Sequence, residues 1–315
     1  MTGRGVLRMG VLALLWGSGF LWIKVALTGF SPVQITVIRC ALGAAVLLVL
    51  AHSAHQNLPR ELWGRLAVAA FFCNALPFLL FAIGEQTVDS GVAGVLNATT
   101  PLFAALIGLM IGAERGLTPV RVTGLVLGFA GVLLIFAPWQ QEGLTDVGAL
   151  ALLGAAASYA VAFAYMGRNL VGKGGPIAVS AAQLTAATGL SAVMIPFDGT
   201  PTTPNATAIV AVVVLGIFGT GVTFYLNYRI IEDEGATSAA TVGYLLPVVS
   251  VALGAIVLDE PLTVRVVVGM AVVLAGVALT RSAVAKRPLE RTGRCQLSVL
   301  STGRHADRRR SADLR

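Results

Sequence analysis

The chain contains one long apolar stretch twice. The first copy, from Ser90 to Gly124, reads SGVAGVLNATTPLFAALIGLMIGAERGLTPVRVTG. The second, from Ala236 to Gly269, reads ATSAATVGYLLPVVSVALGAIVLDEPLTVRVVVG. Pro101 and Pro247 each stand thirteen residues before a glutamate, Glu114 and Glu260, and Gly108 matches Gly254 in the same register. Each copy begins with an apolar run of about 20 residues, enough to cross a bilayer as a helix. A duplicated apolar span with a central proline restricts the chain to a membrane bundle built from two repeats, the architecture of many transporters.

Composition agrees. Only 12% of residues are charged, against about 25% in soluble domains. The net charge of +7 is concentrated in the tail: from Ser282 onward there are nine Lys/Arg and three acids. A basic tail beside a membrane calls for anionic lipid, not nucleic acid, as its partner. Cys40, Cys73 and Cys295 have no CxxC or metal spacing, and no cofactor is expected. Arg4 and Arg8 precede an apolar run too long for a signal peptide, which reads as a retained first span.

Ten spans fit an all-α membrane protein: residues 7–27, 32–51, 62–84, 90–113, 119–137, 147–166, 176–196, 206–229, 237–258 and 263–280. Thr118-Pro119 is a good helix start, with Pro at the first helical position. Taking alternate loops, Arg4, Arg8, Arg60, Arg65, Arg115, Arg121, Arg168, Lys173, Arg229 and the tail fall on one side. Glu85, Asp89, Glu142, Asp146, Asp198, Asp259 and Glu260 fall on the other, with only Lys24 and Arg265 as basic residues. This bias places both termini in the cytoplasm. Five spans per repeat is odd, so the repeats, 6–138 and 146–281, are expected to be inverted. Residues 282–315 lack the apolar content for a core and are expected to form a disordered cytoplasmic tail.

The segments WGSGFLWIKVAL, VIRCALGA, SGVAGVLNATTPLFAALIGLMIGAERGLT, GTGVTFYLNYRI and LDEPLT together resemble the drug/metabolite transporter superfamily. More specifically, they resemble ten-span proteins with two EamA-type repeats. The resemblance covers about Val6 to Thr280. It implies alternating-access export or exchange of a small metabolite, amino acid or drug across the plasma membrane.

Several residues are candidates for function. A mid-helix proline leaves the carbonyl four residues back unpaired, here those of Asn97 and Gly243. In lipid such groups need a partner, so Pro101 and Pro247 mark either packing kinks or irregular backbone lining a midplane cavity. Asn74 maps onto Thr220 at the repeat offset, both near mid-membrane, with Asn97 and Thr100 nearby. They serve either interhelical hydrogen bonding or cavity lining. Arg39, about two turns inside the membrane, either pairs with Glu85 or Asp89 or binds a substrate carboxylate. Lys24 is close enough to a span end to snorkel. Glu114 and Glu260 sit beside the next helix start, where a helix dipole favours a carboxylate. Trp16, Tyr159 and Tyr244 offer aromatic walls suited to amphipathic or cationic ligands. The expected substrate is therefore a small zwitterionic or neutral amphipathic metabolite.

Other motifs carry less. GRNLVGKGG lacks the hydroxyl residue of a phosphate loop and follows a span, so it reads as a turn. The sequon at Asn97 lies inside a span. The Gly108–Gly112 and Gly124–Gly128 pairs suit close helix contact. An intramembrane enzyme is the rival reading. It would need paired acids or His/Cys clusters at membrane depth, and His52, His55 and His305 lie in a loop or the tail.

Overall fold

A computed structural model of the chain describes residues 3–57, 60–110, 119–136, 147–170, 173–199, 202–234, 242–243 and 245–285. The expectations for Thr118, Glu114, Tyr244, the repeat junction and the tail beyond residue 285 lie outside the described residues. Among those described, regular structure is entirely helical. The helices are α1 (Gly3–Ala26), α2 (Pro32–Ser53), α3 (Trp63–Ala70), α4 (Leu76–Gly84), α5 (Ser90–Asn97), α6 (Thr100–Met110) and α7 (Pro119–Phe136). They continue with α8 (Val147–Asn169), α9 (Pro176–Ala192), α10 (Ala206–Gly216), α11 (Thr223–Glu234), α12 (Leu246–Val257) and α13 (Val264–Ala285).

Among the described residues, seven stretches are long and apolar enough to cross a membrane: Gly5–Ala26, Pro32–Ser53, Trp63–Gly84, Ser90–Ile107, Val147–Asn169, Pro176–Phe197 and Ala206–Asn227. The shorter apolar helices Val122–Leu134, Leu246–Val257 and Val264–Leu279 stand where the fifth, ninth and tenth spans were expected. The chain is a multi-pass membrane protein. The outward surface is apolar, with Met110, Phe197, Ile256 and Val264 exposed, as a lipid-facing surface requires.

Among the described residues, apart from α4 against α8, which are not counterparts, the most extensive packing is in three helix pairs that each join a span of the first half to its counterpart in the second: α2 with α9, α5 with α12, and α7 with α13. Each pair runs antiparallel. At one end of α2/α9 the Ser31 hydroxyl donates to the Asp198 carboxylate. At the other, the Ala178 N–H donates to the Gln56 side-chain carbonyl at 3.1 Å. In α5/α12, Gly94 faces Ser250 while Ser90 lies near Gly254. In α7/α13 the backbones nearly touch: a Cβ at Gly276 would lie 2.7 Å from the Gly124 carbonyl. Small residues permit this approach, and close van der Waals packing drives helix association where lipid removes the hydrophobic incentive. Gly124–Gly128 is thus a helix-contact motif, as its spacing suggested; Gly112 of the other pair lies outside the described residues.

Both proline-marked spans are interrupted rather than bent. The fourth breaks between α5 and α6, and Pro101 falls in the first turn of α6. Pro247 likewise lies in the first turn of α12. A first-turn proline gives up no helical hydrogen bond. The Asn97 carbonyl nevertheless needs a donor, and the Thr100 hydroxyl supplies it at 2.7 Å.

Candidate functional site

The third and eighth spans share a deviation. Each passes through a π-helical segment, Phe71–Ala75 between α3 and α4 and Ile217–Val222 between α10 and α11. Their first residues, Phe71 and Ile217, are separated by the same interval as Pro101 and Pro247. A π segment inserts one residue into the helix and upsets its ladder, and such segments concentrate at functional sites. In the first copy Leu76 N–H bonds to Phe71 O. The next donor in that pattern would be residue 77, a proline without an N–H. The stranded Phe72 carbonyl is taken by the Ser158 hydroxyl of α8 at 2.7 Å. In the second copy the Thr220 hydroxyl donates to Leu215 O at 3.0 Å, and Thr223 donates to Gly219 O and Thr220 O. Hydroxyls thus stand in where the helix leaves carbonyls short, as a lipid environment demands.

These segments carry the two midplane polar residues, and both are 0% exposed. Thr220 accepts a hydrogen bond from Arg39 Nε at 2.8 Å. Arg39 also lays its guanidinium over the Phe78 ring, 3.7 Å from the centroid. Asn74 accepts from Gln183 Nε2 of α9 at 2.6 Å, and its own Nδ2 has no partner. Asn74 and Phe78 are one turn apart, so they share a helix face. Arg39, lying over Phe78, therefore stands beside the Asn74 face. Tyr159 of α8 stacks on Phe163 with centroids 5.8 Å apart and meets Phe81 at 5.9 Å. Asn97 Oδ1, at the break of the fourth span, is another buried atom without a partner.

A second polar group lies where α1, α4, α5 and the segment before α13 meet. Lys24 donates to the backbone carbonyls of Glu85 (2.7 Å) and Val88 (2.9 Å). Glu85 closes α4. It is 0% exposed, and neither carboxylate oxygen has a hydrogen-bond partner among the described residues. Burial pushes its carboxyl well above the usual carboxylate range, against the pull of Lys24. Asp89 is raised as well, by burial and then by the Glu260 charge. Glu260 accepts from Ser90 N at 2.7 Å and Gly91 N at 2.9 Å.

The arrangement departs from the sequence expectations in several ways. Arg39 contacts a hydroxyl and a ring instead of Glu85 or Asp89. Glu260 does sit at a helix N-terminus, but at that of α5, 170 residues away in sequence, not that of the following helix. Lys24 bonds to backbone carbonyls instead of reaching outward. Trp16 packs beside Met9, Leu12, Ala13, Ile230 and Val242. Gln183, Phe78 and Pro77 were not singled out, although two of them had a signal: Gln183 is the one side-chain amide in its span, and Pro77 is a proline within a span, like Pro101. Among the described residues no three His, Cys, Asp or Glu side chains gather as a metal site.

Comparisons with known proteins agree on the class. The EamA-like transporter family model matches residues 3–137 and 146–282. An uncharacterised transporter of Archaeoglobus fulgidus is 28% identical over 270 residues, covering 85% of this chain and 96% of that one. The uncharacterised transporter YvbV of Bacillus subtilis is 24% identical, covering 89% and 92%. The uncharacterised inner membrane transporter YedA of Escherichia coli is 25% identical, covering 77% and 79%. A crystal structure of another protein shares the fold with a TM-score of 0.63 at 21% identity, over 89% of this chain and 96% of that one.

Proposed function

Because the chain belongs to the EamA-like transporter family, we propose that it is a secondary carrier exporting a small carboxylate-bearing zwitterion by alternating access across the plasma membrane. Ten spans form two inverted five-helix repeats, 6–138 and 146–281, with both termini and the basic tail on the cytoplasmic side. Support for the inversion comes from the antiparallel pairing of counterpart helices. The recurrence of the π segments at the repeat interval adds to it. The Lys/Arg bias supports the orientation. The tail rests on anionic lipid.

One observation carries the substrate class: a buried guanidinium set on neutral partners. Arg39 is buried and spends its Nε on the Thr220 hydroxyl and its face on the Phe78 ring, neither of which carries a compensating charge. Asn74 Nδ2 is a buried donor with no partner among the described residues. Unsatisfied buried donors are costly, and a planar guanidinium fork fits a carboxylate bidentately. The carboxylate of the solute takes that place, and Thr220 holds the fork in register. Asn97 Oδ1 and the Tyr159 ring supply acceptor and π surface for the cationic end. Trp16 and Thr100 complete the wall. Pro101 and Pro247 keep the fourth and ninth spans broken, so that backbone as well as side chains can line the path.

The test is a thermal-stability screen of purified protein against amino acids and related zwitterions, since a ligand of the folded state raises the unfolding temperature. Hits then go to counterflow in liposomes. Carboxylate-bearing zwitterions should stabilise the wild type, exchange across the membrane, and lose both effects in Arg39→Gln. Chemical conversion of a hit by the protein in detergent, or stabilisation that survives Arg39→Gln unchanged, would refute the reading.

A further inference from the structure

Glu85 stands apart from every other carboxylate described. It is fully buried at the end of α4. Both oxygens lack a hydrogen-bond donor. The nearest cation does not rescue it: Lys24 directs its ammonium to the backbone carbonyls of Glu85 and Val88. Nature rarely leaves an ionised carboxylate in this condition, because burying an unpaired charge costs far more than neutralising it with a proton.

We infer that Glu85 is a proton-binding site whose occupancy controls closure of the end of the bundle where α1, α4, α5 and the segment before α13 converge. With the proton on, the carboxyl is neutral and tolerates its enclosure. With the proton off, the carboxylate must recover water or draw the Lys24 ammonium away from the carbonyls it holds. Either event loosens the same end. A negative Glu85 also acts on Glu260, whose charge it feels. Glu260 latches that end by holding the N–H groups of Ser90 and Gly91.

The charged and titratable groups facing Glu85 are few. Lys24 comes from α1, Arg39 from α2 and Glu260 from the segment before α13. Asp89, at the start of α5, answers to the same Glu260 and Lys24. On α8 the group is Tyr159, against Phe81. Burial, the largest influence, and Glu260 oppose the ionised carboxyl, while Lys24 and Arg39 favour it. The step is a simple proton exchange: a carboxylate takes one proton from the water on one side and returns it to the other. Coupling of that proton to a solute rests on the carrier reading above; the proton site itself does not.

Two measurements on the full chain in lipid test this without a solute. Infrared spectroscopy should show a protonated-carboxyl stretch persisting at neutral pH, absent in Glu85→Gln and shifted in Glu85→Asp. Absence of the band in folded wild type, or its survival in Glu85→Gln, would overturn the proton site. Glu85→Asp identifies the band even where Glu85→Gln does not fold. The second measurement follows maleimide labelling of Ser90→Cys at the latch, with and without Glu85→Gln. Labelling should rise with pH beyond the thiol's own titration, by up to about tenfold per unit for one titrating group, and the excess should vanish with Glu85→Gln. Equal pH dependence in both backgrounds would refute the gating. Failure here leaves counterflow intact. Failure of counterflow with both results positive would remove the carrier and leave the proton switch.

Discussion

Glu260→Ala tests how strongly one carboxylate fastens the start of α5 to the segment before α13. The substitution removes two charge-assisted hydrogen bonds, of 2.7 and 2.9 Å, to Ser90 and Gly91, and strands two N–H groups at the start of α5. Bonds to a charged group contribute about 1.5–3 kcal/mol each. Glu260 is only half-buried, so the lower bound applies, and the expected loss is about 3 kcal/mol. For a chain of this size that is a fall of about 6 °C in unfolding temperature. Scans must share one heating rate, because unfolding of such proteins is commonly irreversible. A companion substitution sharpens the test. Gly254 lies under the carboxylate, and a Cβ there would come within 2.9 Å of Glu260 Cδ and 3.0 Å of Ser90 Oγ. Gly254→Ala should therefore destabilise the wild type by displacing the latch. In the Glu260→Ala background the clash with the carboxylate is gone, and the helix gains up to about 1 kcal/mol from replacing glycine. The two effects should be non-additive, as for groups in contact. A change within about 0.5 kcal/mol for Glu260→Ala, typical of an ordinary surface position, would refute the latch. An equal cost for Gly254→Ala in both backgrounds would refute it as well.

Three further outcomes are expected. Ser158→Ala strands the Phe72 carbonyl that Pro77 cannot serve, and should cost about 1–3 kcal/mol in thermal unfolding, whereas Thr188→Ala, whose hydroxyl bonds only within its own helix, should be nearly neutral. Thr220→Val keeps the shape but removes the acceptor for Arg39 Nε, so transport of any counterflow solute should fall while folded protein is recovered; unchanged transport would detach Arg39 from the site. Burial raises the Glu85 carboxyl, so the folded state retains a proton that the unfolded state has lost once pH exceeds the ordinary glutamate range. Stability should then decline as pH rises, until the folded carboxyl itself ionises. Thermal unfolding of Glu85→Gln should lack that decline, and an identical pH profile in the two proteins would contradict it.

The duplication was legible because prolines and glutamates stand out in an apolar background. The interval from Pro101 to Pro247 also relates Asn74 to Thr220, and both are buried on matching π segments. What the sequence hid was the direction in which each helix faces. In a soluble helix, polar residues mark the outer face; in a bilayer both the lipid side and the bundle side are apolar, so periodicity loses that information. Pairing with the nearest acids in the loop pattern was accordingly one of the two expectations for Arg39, whereas its rotation about α2 brings it to Thr220 and Phe78. The contact between Glu260 and α5 was hidden for a different reason: it joins loops far apart in sequence, which only the folded bundle brings together. The π segments left one trace, Pro77, which removes the donor that Phe72 O would otherwise receive.

Those π segments also make the reading frame of each span unforgiving. One extra residue turns everything after it by about 100° around the helix axis. Phe78, Phe81 and Glu85 meet α1, α2 and α8 only because that turn has been made before α4 begins. Loss of a single codon anywhere in Phe71–Ala75 would leave hydrophobicity and length almost unchanged. It would nevertheless swing the aromatic and acidic groups toward the wrong neighbours, a lesion that hydropathy would not detect.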